Sequence, residues 1–345
     1  MKEERIMPIP QADGERAALD LLLRGFQVSR MLRLVADLGV ADHISPGEGV
    51  PINDLAADCN VQPQPLIRIL RALAAFSIFS VAPDGSVAHT ARSRLLRTDT
   101  TNSMRHAAQF WASAGPWEAW GQLDIALTGG VPHDAAWKMS RFDYLRAHPD
   151  EARLFDTMMA HFPDNRHAAI AAAYDFSNSR LIADIGGGDG TTLYEILTCF
   201  PTASGLVFDR EDVVRSIQPD RLLDGRIIIA GGSFFESIPA GADIYMLIRV
   251  LHNWPDDDCL RILRACRAAM KSDSLLLLGE QVLDPDPANG RLTDYLLDVQ
   301  MMAMFGSARA RTGGEFIGLL AESGLRLQRI ISTESPVSII EAAPM

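Results

Sequence analysis

Asp184-Ile185-Gly186-Gly187-Gly188-Asp189-Gly190 is the stretch whose reading decides the fold. An apolar run, Arg180-Leu-Ile-Ala-Asp184, leads into it, and a helical pattern, Thr191-Thr-Leu-Tyr-Glu-Ile-Leu-Thr-Cys199, follows. Strand, glycine turn and helix in that order is the setting in which a Gly-rich loop holds a nucleotide. Glycine carries no Cβ, so the backbone turns sharply and approaches a ligand closely. The spacing discriminates between ligands. Dinucleotide folds use G-x-G-x-x-G, whereas here the glycines fall at 186, 188 and 190 and Thr191 occupies the last slot.

Strand and helix signals alternate outward from this loop. Leu181–Asp184 reads as the first strand and Ser204–Asp209 as the second, with 226–231, 243–248 and 274–279 as three more. Residues 257–270 form an amphipathic pattern, with Cys259, Leu263, Cys266 and Met270 on one face. Leu325–Ser332 and 337–342 read as a closing β pair. Alternation of this kind implies a mostly parallel sheet covered by helices on both faces. Ligands of such sheets lie beyond the carboxyl ends of the strands. Asp209 ends the second strand about 20 residues after the loop, where a carboxylate accepts ribose hydroxyls; it also suits a helix cap. Gly232-Ser233-Phe234-Phe235 follows the third strand and places an aromatic where adenine would lie. Arg249-Val-Leu-His252-Asn253-Trp254 follows the fourth.

Toward the other end, Leu66, Ile69, Leu70 and Leu73 recur at helical spacing. Asn53 is placed to cap a short helix through Asp58, and two strands flank a Pro83-Asp84-Gly85 turn. Helix, turn, helix and hairpin make a winged-helix pattern. Its charges balance and its second helix is mostly apolar, so packing or dimerisation fits better than DNA binding. We expect a winged-helix-like dimerisation domain over 1–105, a helical linker contributing to the substrate pocket over 106–170, and the sheet domain over 171–345.

The chain of 345 residues carries a net charge of −12, which disfavours nucleic acid as a partner. The four cysteines, Cys59, Cys199, Cys259 and Cys266, make no CxxC pair, and no His, Cys and carboxylate cluster has metal-ligand spacing. No metal is expected. No apolar run approaches the roughly 20 residues of a membrane span, and no signal-peptide pattern opens the sequence. We expect a cytoplasmic protein without a membrane partner.

Taken together, Asp184–Gly190, Phe208-Asp209, Gly232–Pro239, Arg249–Asp256, Glu280-Gln-Val-Leu283 and 296–301 resemble the S-adenosylmethionine (SAM)-dependent small-molecule O-methyltransferases. This is the metal-independent family of plant caffeate-type and bacterial antibiotic-tailoring enzymes. The resemblance spans roughly 20–343 and implies an α/β fold: a class I, doubly wound, mostly parallel sheet with an antiparallel C-terminal strand, preceded by a mainly helical winged-helix domain. It implies SAM as cofactor, S-adenosylhomocysteine (SAH) as product, a homodimer, and an aromatic or heteroaromatic secondary metabolite as acceptor. Asp184, Gly186, Gly188, Asp209, Gly232, Ser233, Phe234 and Arg249 would hold the cofactor. His252 matches the catalytic base and Glu280 the acid that orients it. Met158, Met159 and Phe162, with Trp254, Asp298, Met301, Met302 and Phe305, match regions that enclose the acceptor; methionine adapts to flat, irregular apolar shapes.

A phenol ionises near pH 10 and a histidine near 6.5, a gap of roughly 3.5 units or about 5 kcal/mol for full prior deprotonation. Proton removal coupled to methyl transfer avoids much of that cost. The sequence departs from the family pattern at Asn253, Ala310, Ile248 and Ser233, where Asp, an acid, Lys and Asp are common. Ala310 keeps open a SAM-binding relative that does not methylate, such as a hydroxylase or a rearrangement catalyst. N- and C-methylation also remain open, and a DNA-binding regulator is a remote alternative.

Overall fold

The computed structural model describes residues 14–100, 102–160 and 164–345. The chain divides into two compact units, Met1–Trp117 with His148–Pro163, and Glu118–Ala147 with Asp164–Met345. The stretch 106–170, expected as one linker, is thus shared between them.

In the first unit, helices Gly25–Asp37, Ile52–Asp58 and Pro63–Ala74 precede a hairpin of Phe79–Val81 and Ser86–His89, to which Val50–Pro51 adds a third strand. Val35, Ile44, Leu55, Leu66, Leu70, Leu73, Phe79 and Val87 form its core. The hairpin turns where the sequence places it: Gly85 adopts φ +87°, and Asp84 Oδ1 accepts the Ser86 N–H at 2.9 Å. Asn53 does not cap its helix. The helix begins two residues earlier, at Ile52 after Pro51, with no side-chain cap; the ring of Pro51 fixes φ there, which sets the chain's entry without a side-chain acceptor.

The second unit is built on seven strands: β1 (Leu181–Ile185), β2 (Ser204–Asp209), β3 (Ile227–Gly231), β4 (Ile244–Ile248), β5 (Leu275–Glu280), β6 (Leu325–Ser332) and β7 (Ser338–Pro344). Their order is β6-β7-β5-β4-β1-β2-β3. The first five pair in parallel, whereas β7 runs antiparallel to both β5 and β6. Side chains alternate between the two faces of a strand, and both faces are covered here. Ala183, Ile185, Tyr245, Leu247, Leu276 and Leu278 meet Cys259, Ile262, Leu263 and Cys266 of helix Asp256–Ala269. Ile182, Val207, Met246 and Leu277 meet Leu193, Ile196 and Leu197 of helix Thr191–Cys199 on the opposite face. Burial on both sides is why these strands read as continuous apolar runs. Among the described residues, no helix is long and apolar enough to cross a membrane.

Candidate active site

The order of strands reverses between β1 and β4, and the functional side chains gather at the carboxyl ends of β1, β2, β4 and β5. After β1 the chain turns through Gly186, Gly188 and Gly190 at φ of +71°, +58° and +77°, a region that disfavours every residue with a Cβ. The Gly186 N–H donates to the Phe208 carbonyl of β2 at 2.7 Å. Gly190 then opens helix Thr191–Cys199. The Thr191 N–H of that first turn already donates to Asp189 Oδ1 at 3.1 Å.

Beneath the loop lies Asp184, only 1% exposed, with neither carboxylate oxygen hydrogen-bonded. A Cβ on Gly187 would stand 2.8 Å from its carboxyl carbon, so the loop is draped directly on this acid. Burial first, and then the charges of Asp209 and Asp189, push its pKa up to about 7. An orphaned, buried carboxylate is costly unless a ligand completes it. Asp209, at the end of β2, accepts the Gly188 N–H on Oδ2 at 2.9 Å and the Arg210 N–H on Oδ1 at 2.7 Å. The loop and the β2 acid are therefore joined before any ligand arrives.

The turn after β3 is tied to β2 by a 3.0 Å bond from the Gly232 N–H to the Asp209 carbonyl. Ser233 Oγ accepts the Phe235 N–H at 3.3 Å. Phe234 comes close to Gly186 and packs edge-on to Phe235 and Trp254, with centroids at 4.8 and 5.9 Å. Arg249, at the end of β4, holds φ +59°, uncommon for a residue with a side chain. It donates through Nη1 to Gln281 Oε1, and Gln281 continues to Asp294 at 2.9 Å. Its Nε is buried without a partner. Arg249 thus ties the ends of β4 and β5 together.

His252 sits on a single helical turn, Leu251–Asn253, just past β4. Its Nδ1 lies 2.7 Å from Glu280 Oε2. Glu280 Oε1 accepts the Leu251 N–H at 2.8 Å and the His252 N–H at 3.4 Å. Both side chains are buried. Burial holds His252 below the ordinary histidine range against the pull of Glu280, and Arg249 adds to the depression. Burial raises Glu280 as well, but His252, Arg249 and the Leu251 N–H together outweigh it and keep the carboxyl below its usual range. The pair is a neutral imidazole against a carboxylate. With the Nδ1 proton shared with Glu280, Nε2 keeps the lone pair, and no described residue hydrogen-bonds to it.

Helix Leu292–Phe305 carries Asp298, Met301, Met302 and Phe305. Met301 is buried, and the other three are half-buried. Asp298 Oδ1 accepts the Ala310 N–H at 2.9 Å, so a carboxylate from another element occupies the neighbourhood where relatives of the family pattern carry an acid. Burial raises its pKa, and the Ala310 N–H opposes this. Met158 and Met159 lie on helix Pro149–Ala160 of the first unit, with Met158 buried. Phe162 lies outside the described residues.

Sequence reasoning missed Phe142, on helix Arg141–Ala147 of the second unit. Its ring stacks on Trp254 with centroids at 6.3 Å, tilts against Phe305 at 5.5 Å, and lies under the Arg210 guanidinium at 5.8 Å. It therefore links the aromatic wall to the residue following Asp209. The excess of aromatics over 106–170 was the available signal, but nothing in the local pattern singled out this ring.

The switch-point loop, the acid at the end of β2, the seven-strand order and the antiparallel β7 define a class I SAM-dependent methyltransferase. Residues 120–326 match the O-methyltransferase domain and residues 21–99 the O-methyltransferase dimerisation domain. The phenazine O-methyltransferase PhzM of Lysobacter antibioticus is 35% identical, over 94% of this chain and 95% of its own. A phenazine-1-carboxylate N-methyltransferase of Pseudomonas aeruginosa is 31% identical, over 91% and 93%. The solved O-methyltransferase of neocarzinostatin biosynthesis, in complex with SAM and 2-hydroxy-5-methyl naphthoic acid, superposes with a TM-score of 0.75 at 30% identity, over 92% and 96%. The chain belongs to the O-methyltransferase family. It is a SAM-dependent O-methyltransferase of secondary-metabolite biosynthesis, with SAH as the product of its cofactor.

Proposed function

We propose that this enzyme methylates a hydroxyl of an aromatic or heteroaromatic secondary metabolite, with His252 as general base and Glu280 as its orienter. The observation that supports the proposal is the 2.7 Å His252–Glu280 bond, which favours the tautomer with its proton on Nδ1 and leaves Nε2 to act as base. SAM, when bound, supplies an electrophilic sulfonium methyl. The chain's own residues supply position and proton removal. Asp209 would accept the ribose hydroxyls, and the Gly186–Gly190 turn would let the backbone lie against the cofactor. Asp184, buried and unpartnered, would face its ammonium end. Phe234 would pack on adenine beside Gly232 and Ser233, and Arg249 would brace the strand ends beneath. Trp254, Phe305, Met301 and Met302, joined by Phe142, would form an apolar wall for a flat acceptor, with Asp298 on the same helix.

A phenol bonded to Nε2 loses its proton as the carbon–oxygen bond forms, so full ionisation in advance is not needed. The imidazolium that results is stabilised by Glu280 across Nδ1–H. In assays over a panel of hydroxylated aromatic acids, naphthols and phenazines, we expect one SAH released per methyl ether formed. Release of SAH without an ether, or methylation only on nitrogen, would refute hydroxyl transfer. The N-methyltransferase relative makes the amine the sharpest rival, since a neutral amine needs no base to attack.

We further propose a homodimer through the first unit. It presents an exposed apolar run, Leu19, Leu21, Leu22, Leu23 and Phe26, which a single chain leaves in water. A monomeric sedimentation coefficient at micromolar concentration would remove this proposal.

A further inference from the structure

We infer that Arg311 is a positioning residue for His252: its buried guanidinium clamps the carbonyls on both sides of the His252 turn. This rests on the assignment of His252 above but is tested separately from it. Arg311 is the largest fully buried side chain described in the protein. Nη1 donates to the Leu251 carbonyl at 3.0 Å, and Nη2 donates to the Trp254 carbonyl at 2.8 Å. Leu251 and Trp254 bracket His252 and Asn253. Nε and Nη2 also donate to Asp256 Oδ1 at 3.0 and 2.7 Å, just beyond the turn. Nη1 reaches the Arg309 carbonyl as well, at 3.3 Å. Arg311 is itself located by a parallel bridge, Arg311 opposite Val282 and Thr312 opposite Leu283, immediately after Glu280.

Glu280 takes the Leu251 and His252 N–H groups and the imidazole, and Arg311 takes the Leu251 and Trp254 carbonyls. Both clamps reach the turn from the β5 edge, so the base is fixed from its donor side and its acceptor side by neighbouring elements. The Leu251 carbonyl also accepts the Trp254 N–H at 3.1 Å, but the Trp254 carbonyl has besides Arg311 only the Cys259 thiol at 3.4 Å, a weak donor, and a buried carbonyl without a good donor is disfavoured. Only a planar guanidinium spans two carbonyls and a carboxylate at once; an ammonium has no fork to do so.

Arg311→Lys tests this, with Asp256→Ala as a milder variant and Arg309→Ala as a control. Arg309 pairs with the other oxygen of Asp256 at 2.7 Å and leaves the clamp intact. The readouts are kcat, the KM values for SAM and acceptor, and titration of the His252 imidazole by NMR in protein labelled at histidine nitrogen. The largest charge effects on His252 come from Glu280, Arg249 and Arg166, which none of the variants alters; Arg311→Lys keeps its charge, whereas Asp256→Ala removes one that would by itself move the titration down. Loosening the turn admits water, so the His252 titration is expected to move up toward its ordinary value. In Arg311→Lys, kcat should fall on the order of 10–100-fold, as a slight misplacement of a reacting group does, with both KM values nearly unchanged. Asp256→Ala should shift both readouts in the same direction by less, and Arg309→Ala should shift neither. A His252 titration that stays at its wild-type position in Arg311→Lys overturns the proposal even if activity falls; if that variant does not fold, the same result in Asp256→Ala overturns it. Wild-type turnover in His252→Ala would instead remove the base assignment, while the titration still reports the clamp.

Discussion

His252→Ala is expected to lower kcat on the order of 10²–10⁴-fold, the usual range for loss of a positioned acid–base group. Affinity for SAM should be unchanged, because the ring lies against Glu280 and no cofactor-loop residue bonds to it. The pH profile gives a second reading. Burial keeps the folded imidazole below its ordinary value, so the wild-type acid limb should lie below pH 6.5, with activity lost as pH falls through that limb. In the alanine variant the residual rate should lose that limb. A variant that binds SAM normally and turns over at the wild-type rate would exclude His252 as the base.

Asp184→Asn should show an effect of opposite sign on two properties. In the ligand-free protein the Asp184 pKa is raised from 3.8 to about 7. The folded state therefore holds the proton more tightly than the unfolded state. Its stabilising share is full below about pH 4 and declines as pH rises through 7, a loss of up to about 4 kcal/mol at the upper end. Asparagine cannot ionise, so this decline should be absent. Between pH 5 and pH 8 the melting temperature of the variant should rise relative to wild type in the absence of SAM. SAM affinity should fall in the same variant, because the counter-charge for a cationic ligand group is gone. Calorimetry in buffers of different ionisation enthalpy should show wild-type proton release on SAM binding near pH 7, since a bound cation lowers the carboxyl pKa. Equal pH dependence of melting in the two proteins would contradict the buried, proton-holding carboxyl.

The fold was legible because its strands are buried on both faces. Ser204–Asp209 emerges with its expected limits, and an apolar run of that length between turn residues has few alternatives; Leu325–Ser332 also keeps its limits, but as a mostly exposed edge strand. The pairing of strands was less legible. Nothing local to 338–344 states that it inserts between β5 and β6; burial of Ile339, Ile340 and Ala342 on both faces decides that. The candidate site divides in the same way. Glycines, Asp209, His252 and Glu280 stand at strand ends, where position along the chain fixes position in space. Phe142 and Arg311 act across more than 50 residues of separation, as in the bond from Arg311 to Trp254. No period or turn signal encodes a contact of that range. Asn53 was misread because a capping residue type was weighed without the φ restriction of the proline two positions before it.

The place of β7 has a consequence for the order in which the molecule becomes active. Ser338 is the register partner of Glu280, so the strand that ends in the acid remains an unpaired edge until a segment about 60 residues downstream docks on it. Such long-range closures are slow steps. During refolding, SAM-loop structure around β1 and β2 should therefore mature before the His252 centre does. Pulsed hydrogen exchange should protect the amides of 182–185 and 205–208 earlier than those of 276–280 and 339–342, and regain of turnover should follow the later set. Simultaneous protection of both sets would show instead that the sheet closes as one cooperative unit.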